Sequence, residues 1–224
     1  MGDRSSVSST SSSLQVCETF VSLCGETTFQ GLPAFFVRTS GCNLRCRWCD
    51  TAYAWEPGES RTVASLLNEA KATHRCLAVI TGGEPLLQPA INDLIAGFAE
   101  RDWVVLIETN GTLPIAGLDP RARRIVDVKP PSAKAGVGFL TANLDDLRIT
   151  DELKFVVADR VDFQTAIEFV EEYGLIGRCP LLVSPAAGET EPAEVAEWLL
   201  ETGAPFRLQL QLHKILWGDD ARGR

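Results

Sequence analysis

At 224 residues, 45% of them hydrophobic and 23% charged, the chain has the composition of one substantial globular domain, which excludes a mainly disordered polymer. A formal charge of −9 argues against a nonspecific polyanion binder, so no direct nucleic-acid contact is expected. There is no basic stretch leading into an apolar signal region and no apolar run of about 18 residues; no membrane association is expected, and a cytoplasmic setting is the simplest one.

Residues 1–13, MGDRSSVSSTSSS, are small and polar and read as a disordered tail, leaving 14–224 as a single domain. The first clear strand covers 34–39 and delivers the chain into Cys42-x3-Cys46-x2-Cys49. Val63, Leu66, Leu67 and Ala70 share a helical face ahead of a strand over 77–80, which runs into Thr81-Gly82-Gly83-Glu84-Pro85. A second helical face carries Ile91, Leu94, Ile95 and Phe98, and the strand over 104–107 behind it meets Glu108-Thr109-Asn110-Gly111. The strand over 125–128 leads into Lys129-Pro130-Pro131. Residues 130–150 lack a long amphipathic pattern; Gly136, Gly138 and the polar cluster over 143–146 predict a loop with a short turn. Further strands are expected over 153–157, 181–184 and 206–212, with helical faces at Ala166, Ile167 and Val170 and at Val195, Ala196, Leu199 and Leu200. This alternation predicts an α/β fold with a parallel sheet, and each polar motif follows a strand, where such sheets carry their chemistry.

The chain has seven cysteines: three are clustered, and Cys17, Cys24, Cys76 and Cys179 are dispersed. That distribution fits reduced intracellular use better than a disulfide scaffold. Three soft thiolates on one turn can share an iron–sulfur cluster and leave one of four irons open for chemistry. Spacing alone also admits tetrahedral zinc completed from elsewhere, or ordinary buried cysteines.

Joined to Thr81-Gly82-Gly83-Glu84-Pro85 after an apolar strand, the cysteine triplet resembles the radical S-adenosylmethionine enzymes. The resemblance implies a [4Fe-4S] cluster on Cys42, Cys46 and Cys49, with S-adenosylmethionine chelated at the open iron. It also implies an incomplete TIM-like barrel of about six core parallel strands with reduced helical content. The stretches GETTFQGLPAFFVRTSGCNLRCRWCDTAYAW, ITGGEPLLQP, IETNGTL, IVDVKPP, DELKFVV, LLVSP and RLQLQLHKILWG more narrowly resemble the 7-carboxy-7-deazaguanine synthases. From about Val16 to Trp217 the likeness covers nearly the whole chain. The implied reaction is the radical ring contraction of 6-carboxy-5,6,7,8-tetrahydropterin to 7-carboxy-7-deazaguanine and ammonia, on the route to queuosine and related deazapurines. A homodimer, and a reducing partner such as flavodoxin or ferredoxin, are implied in the same way.

Residue by residue, the likeness gives Thr51 to Mg2+, a hard ion that takes oxygen ligands. Substrate contacts fall on Leu23, Cys24, Gly25, Glu26, Arg38, Thr81 and His213: Arg38 for a carboxylate, Glu26 for donor edges of the pterin. Contacts to S-adenosylmethionine fall on Trp48, Asp50, Gly82, Gly83, Glu84, Glu108, Asn110, Asp127, Lys129, Ser184 and Gln211. Cys24 stands where the family usually has glutamine, so one amide contact is lost or replaced there; packing is the simpler role for its thiol. Plainer roles exist for the others: a turn cap for Asp50 or Ser184, a rim ion pair for Arg38, the Glu-Thr-Asn-Gly turn for Glu108 and Asn110, a strand-end network for Asp127 and Lys129, a hydrogen-bonded structural role for His213, and core packing for Trp48 and Trp55. A glycyl-radical activating enzyme and a noncatalytic metal-binding module are the rival functions.

Overall fold

The computed structural model describes residues 12–218 and 221–224; of the tail expected over 1–13, residues 1–11 lie outside the described residues and Ser13 already opens a strand. Nine strands form one open sheet: β1 (Ser13–Leu23), β2 (Pro33–Thr39), β3 (Glu59–Thr62), β4 (Leu77–Gly82), β5 (Val104–Thr109), β6 (Ala122–Val128), β7 (Glu152–Val157), β8 (Leu181–Pro185) and β9 (Arg207–Leu208), in the order β3-β1-β2-β4-β5-β6-β7-β8-β9. From β2 to β9 every pairing is parallel, and six longer strands, β2 and β4 to β8, form the body of the incomplete barrel expected from the sequence. β1 and β3 add an antiparallel edge that the sequence reading did not assign.

β4, LAVITG, is buried at Leu77 through Thr81, as a central parallel strand covered on both faces must be. Its outer face is closed by α1 (Val63–Ala72), through Leu66, Leu67 and Ala70, and by α2 (Ile91–Ala99), through Ile91, Leu94, Ile95 and Phe98. α3 (Arg160–Glu172) and α4 (Pro192–Thr202) do the same farther along with Phe163, Ala166, Val170 and Val195. The Thr62 hydroxyl starts α1 by accepting from Ser65 N at 3.1 Å, and Gly203 ends α4 at φ +63°.

No α-helix joins β5 to β6 or β6 to β7. Buried Asn143, in a short 3-10 turn over Thr141–Leu144, takes over that covering task. Its side chain accepts from Ile115 N at 3.1 Å and donates to the Gly111 and Leu113 carbonyls at 3.0 Å, satisfying backbone that would otherwise be buried unpaired. The strand expected over 206–212 shrinks to Arg207–Leu208, and α5 (Leu212–Trp217) follows. The alternation in RLQLQL reads as a strand, but beyond Leu208 its glutamines bond to the loop between β1 and β2 instead of facing solvent across a ladder.

The N-terminal half of β6 is fastened by wholly buried Asp151. Its carboxylate accepts from Arg124 N and Nε at 3.0 Å each and from Arg148 N at 2.8 Å. Burial alone would raise its pKa, but the hydrogen bonds from Arg124 and Arg148 hold it below the usual carboxylate value. Asp151→Ala leaves Arg124 buried without its counter-charge and is expected to cost about 3–5 kcal/mol in urea unfolding. In the wild type this contribution is complete above the unfolded-state pKa, about 4, and falls away as pH drops through the lower folded value. The variant should therefore lose less stability than the wild type over that acid range.

Candidate active site

β2 and β4 end side by side, and their last residues decide where the cysteine loop begins. Thr39 pairs with Gly82, and a Cβ on Gly82, which holds φ +130°, would lie 2.2 Å from the Thr39 carbonyl. A Cβ on Gly83 would lie 2.0 Å from the Gly41 carbonyl and 3.1 Å from Cys42 Cβ. Only glycine allows the two backbones this close. Gly83 N then donates to Thr39 O at 3.0 Å and Glu84 N to Gly41 O at 2.8 Å, fixing the start of the loop.

Cys42, Cys46 and Cys49 all line one cavity of about 490 Å³ at the C-terminal ends of the strands. Each is half-buried. Leu44 N lies 3.4 Å and Asn110 Nδ2 3.9 Å from Cys42 Sγ, so N–H groups already face the sulfur that a metal would make anionic. Burial pushes the free thiols of Cys42 and Cys46 up, so their loading requires a metal to displace the proton. Among the described residues no three His, Cys, Asp or Glu side chains are grouped to chelate one ion. A cluster would give each thiolate its own iron.

Charges of both signs crowd the same cavity. Burial would raise the pKa of Glu26, but the Lys154 ammonium in contact with it and Gln211 Nε2 at 2.8 Å hold it down at about 2. Burial disfavours the Lys154 charge too, yet Glu26, Asp127 and Glu108 push its pKa up. Glu108 is raised by burial and by the nearby Glu26, and it accepts from the Thr81 hydroxyl at 2.7 Å. Lys129 Nζ pairs with Asp127 at 2.7 Å, Lys214 with Asp50 at 3.1 Å, and Arg38 Nε with Glu18 at 2.7 Å. Tyr53 donates to that same Glu18 at 2.9 Å and lies under the Arg38 guanidinium. Two buried polar atoms here have no partner among the described residues: Trp48 Nε1, a donor, and Asp127 Oδ1, an acceptor. Such orphans mark positions that a polar ligand would satisfy.

The cavity gathers Leu23, Cys24, Gly25, Glu26, Arg38, Trp48, Asp50, Thr51, Thr81, Gly82, Gly83, Glu108, Asn110, Asp127, Lys129, Gln211 and His213 from distant parts of the sequence. Glu84 and Ser184 are absent from the lining. Glu84 is wholly buried; its carboxylate accepts from Leu86 N at 3.0 Å, Thr109 Oγ1 at 2.8 Å and Asn110 N at 2.7 Å. Those bonds fasten backbone to Glu84 and leave one acceptor site on Oε2. Ser184 is buried within β8. Cys24 is packed, as its type suggests: its Sγ donates to the Glu26 carbonyl at 3.1 Å, and burial pushes it up to about 12. Gly25 is needed for His213, whose Nδ1 lies 2.1 Å from where a Cβ would stand. Burial lowers the His213 pKa and keeps the ring neutral at pH 7.

Sequence reasoning missed Lys154, Tyr53 and Glu18. Lys154 had a signal, since a lone cation inside the apolar run LKFVV is either misplaced or pointed into a site. Glu18 and Tyr53 had none, because β1 was not recognised.

An open, largely parallel α/β sheet that holds three loop cysteines at its C-terminal edge, beside a glycine-welded turn, defines a radical S-adenosylmethionine enzyme. Accordingly, the Radical SAM superfamily profile matches residues 36–175. A 7-carboxy-7-deazaguanine synthase from Chlorobaculum tepidum is 40% identical over 220 residues, covering 96% of this chain and 99% of its own. One from Koribacter versatilis is 37% identical, covering 94% and 100%. The crystal structure of QueE from Escherichia coli superposes with a TM-score of 0.73 at 24% identity, over 89% of this chain and 94% of that one. The chain belongs to the 7-carboxy-7-deazaguanine synthase family of radical SAM enzymes.

Gly83→Ala should overpack the β2–β4 junction at a cost of about 1–3 kcal/mol and displace the cysteine loop. After anaerobic reconstitution it is expected to retain less iron than the wild type. Gly117→Ala, whose Cβ meets nothing within 4 Å, should retain the wild-type amount.

Proposed function

We propose that this chain converts 6-carboxy-5,6,7,8-tetrahydropterin to 7-carboxy-7-deazaguanine with loss of ammonia. The observation that carries this reading is one cavity in which three loop thiols face an ionised carboxylate, Glu26, clamped by Lys154. The names of the relatives at 40% and 37% identity support it, and favour neither rival function.

Cys42, Cys46 and Cys49 would hold the cluster, their soft sulfurs suiting iron. When bound, a reduced [4Fe-4S] cluster and S-adenosylmethionine supply the hydrogen-abstracting radical that starts the rearrangement. The chain's own share is orientation and charge. Asp127 Oδ1, buried and unpartnered, suits an ammonium group, and Lys129 beside it suits a carboxylate. Arg38 spends Nε on Glu18 and leaves its two terminal nitrogens for a substrate carboxylate. Glu26 stays ionised and retains lone pairs beyond those used by Lys154 and Gln211, so it accepts from the donor edge of an aminopyrimidinone ring. Neutral His213, against Gly25, can donate or accept on the same ring.

Mg2+ would bind at Thr51. Thr51 lines the cavity two residues after Cys49 and offers a hydroxyl; the substrate carboxylate and water would complete an oxygen shell. Two copies of the chain would pair as a homodimer, for which α5 exposes Ile215, Leu216 and Trp217, and a one-electron donor such as flavodoxin or ferredoxin would reduce the cluster in the cytoplasm. No helix among the described residues is long and apolar enough to cross a membrane.

With iron, sulfide, reductant, Mg2+, S-adenosylmethionine and the carboxypterin supplied anaerobically, mass spectrometry should detect the deazaguanine product. Cys42→Ala, Cys46→Ala and Cys49→Ala should each abolish it, whereas full activity in any one would remove that residue from the ligand set. Thr51→Val should assemble the cluster normally but weaken the response to Mg2+ by about tenfold; an unchanged titration would take Thr51 out of the metal site.

A further inference from the structure

The loop between β1 and β2 reaches across the open side of the barrel and is gripped at three consecutive residues. Glu26 meets Lys154 of β7. Thr28 N and Oγ1 donate to Glu152, two residues earlier on β7, at 3.0 Å and 2.5 Å. Between them Thr27 N donates to Gln209 Oε1 at 2.6 Å, and Gln209 Nε2 returns a bond to Thr27 O at 3.3 Å. Glu152 and Gln209 are each 2% exposed and neither lines the cavity.

Thr27 is the unusual member. It holds φ +71°, a left-handed conformation costly for a β-branched residue, while 2% exposed. Such a conformation persists only where its surroundings over-determine it. The paired amide bonds from Gln209 supply that constraint, and Leu212 N to Gly25 O at 2.9 Å and Gln30 Nε2 to Leu210 O at 2.7 Å support it on either side. With Thr27 in this conformation, Glu26 meets Lys154 inside the cavity and Thr28 meets Glu152.

We infer that Gln209 and Glu152 are positioning residues for substrate recognition, acting through Thr27 and Thr28 to set the angle at which Glu26 is presented. This rests on the reading of Glu26 as a substrate contact. It is a role in binding rather than in radical formation, since neither residue reaches the thiols or their loop. Loss of Gln209 should let Thr27 relax toward a negative φ and swing Glu26 off Lys154.

The test compares wild type, Gln209→Ala, and Gln209→Ala combined with Thr27→Asn. Asparagine tolerates left-handed backbone and can replace the Thr27 hydroxyl as acceptor for Phe29 N, now 3.0 Å away. Gln209→Ala is expected to raise KM for the carboxypterin about tenfold with kcat within about twofold, and to speed amide exchange over residues 24–32. Adding Thr27→Asn should recover much of the KM without restoring the lost Gln209 bonds. An unchanged KM with unchanged exchange overturns the inference. So does a loss confined to kcat, or one that Thr27→Asn leaves untouched, because either would mark a merely structural role. Should Gln209→Ala fail to fold, Thr28→Val, at an exposed position, removes one bond to Glu152; a raised KM with retained kcat supports the inference, and an unchanged KM overturns it. If the wild type neither binds nor converts the carboxypterin, the functional reading fails, and exchange over 24–32 still decides whether Gln209 holds the loop.

Discussion

One buried carboxylate, Glu84, ties together three strand ends on which the site depends. Its own N–H donates to Gly41 at the head of the cysteine loop, and its oxygens accept from Leu86, Thr109 and Asn110. The loop after β2, the turn after β4 and the end of β5 are thereby fixed to one another. Burial raises its pKa against those three bonds, which favour the ionised form. The flanking glycines make the arrangement sterically possible, and the carboxylate makes it hold.

Around the thiols, the cavity lining is a balance of charge. Four acids, Glu26, Asp50, Glu108 and Asp127, face Arg38, Lys129, Lys154 and Lys214 in a half-enclosed space. Lys154 and Lys129 are each held against an acid, Glu26 and Asp127, whereas Glu108 has only the Thr81 hydroxyl among the described residues and its charge is disfavoured by burial and by Glu26. A ligand carrying both amino and carboxylate groups can exchange partners with such a wall without leaving a charge stranded. The cations in that lining explain why an overall charge of −9 coexists with a cavity fit for carboxylated ligands.

An open sheet needs something across its gap, and here the β1–β2 loop does the work that further strands would do in a closed barrel. Its contacts join residues far apart in the sequence, such as Glu26 and Gln211, 185 positions apart. The chain can therefore omit helices between β5 and β7 and still enclose a site, because Asn143 and Asp151 close the backbone accounts there with side-chain hydrogen bonds.

The core strands and helical faces were legible because their signals are local: apolar runs such as Leu77 to Ile80, faces such as Ile91, Leu94, Ile95 and Phe98, and polar motifs directly after strands, where the chain must turn. The cysteine loop and the two glycines were legible for the same reason, since spacing alone puts them at the β2 and β4 ends. The antiparallel edge was not, because β1 alternates only weakly and gains its order from pairing with β2 and β3. Neither was the short β9, where an alternating pattern gave way to glutamine bonds with a distant loop. Sequence by itself determined the α/β class, the order of its six core parallel strands along the chain and most of the residues brought to the cavity. Tertiary structure alone decided that Glu84 fastens backbone, that Lys154 clamps Glu26, and that Thr27 sits in a left-handed turn, because a polar group's partner depends on which chain ends converge in space.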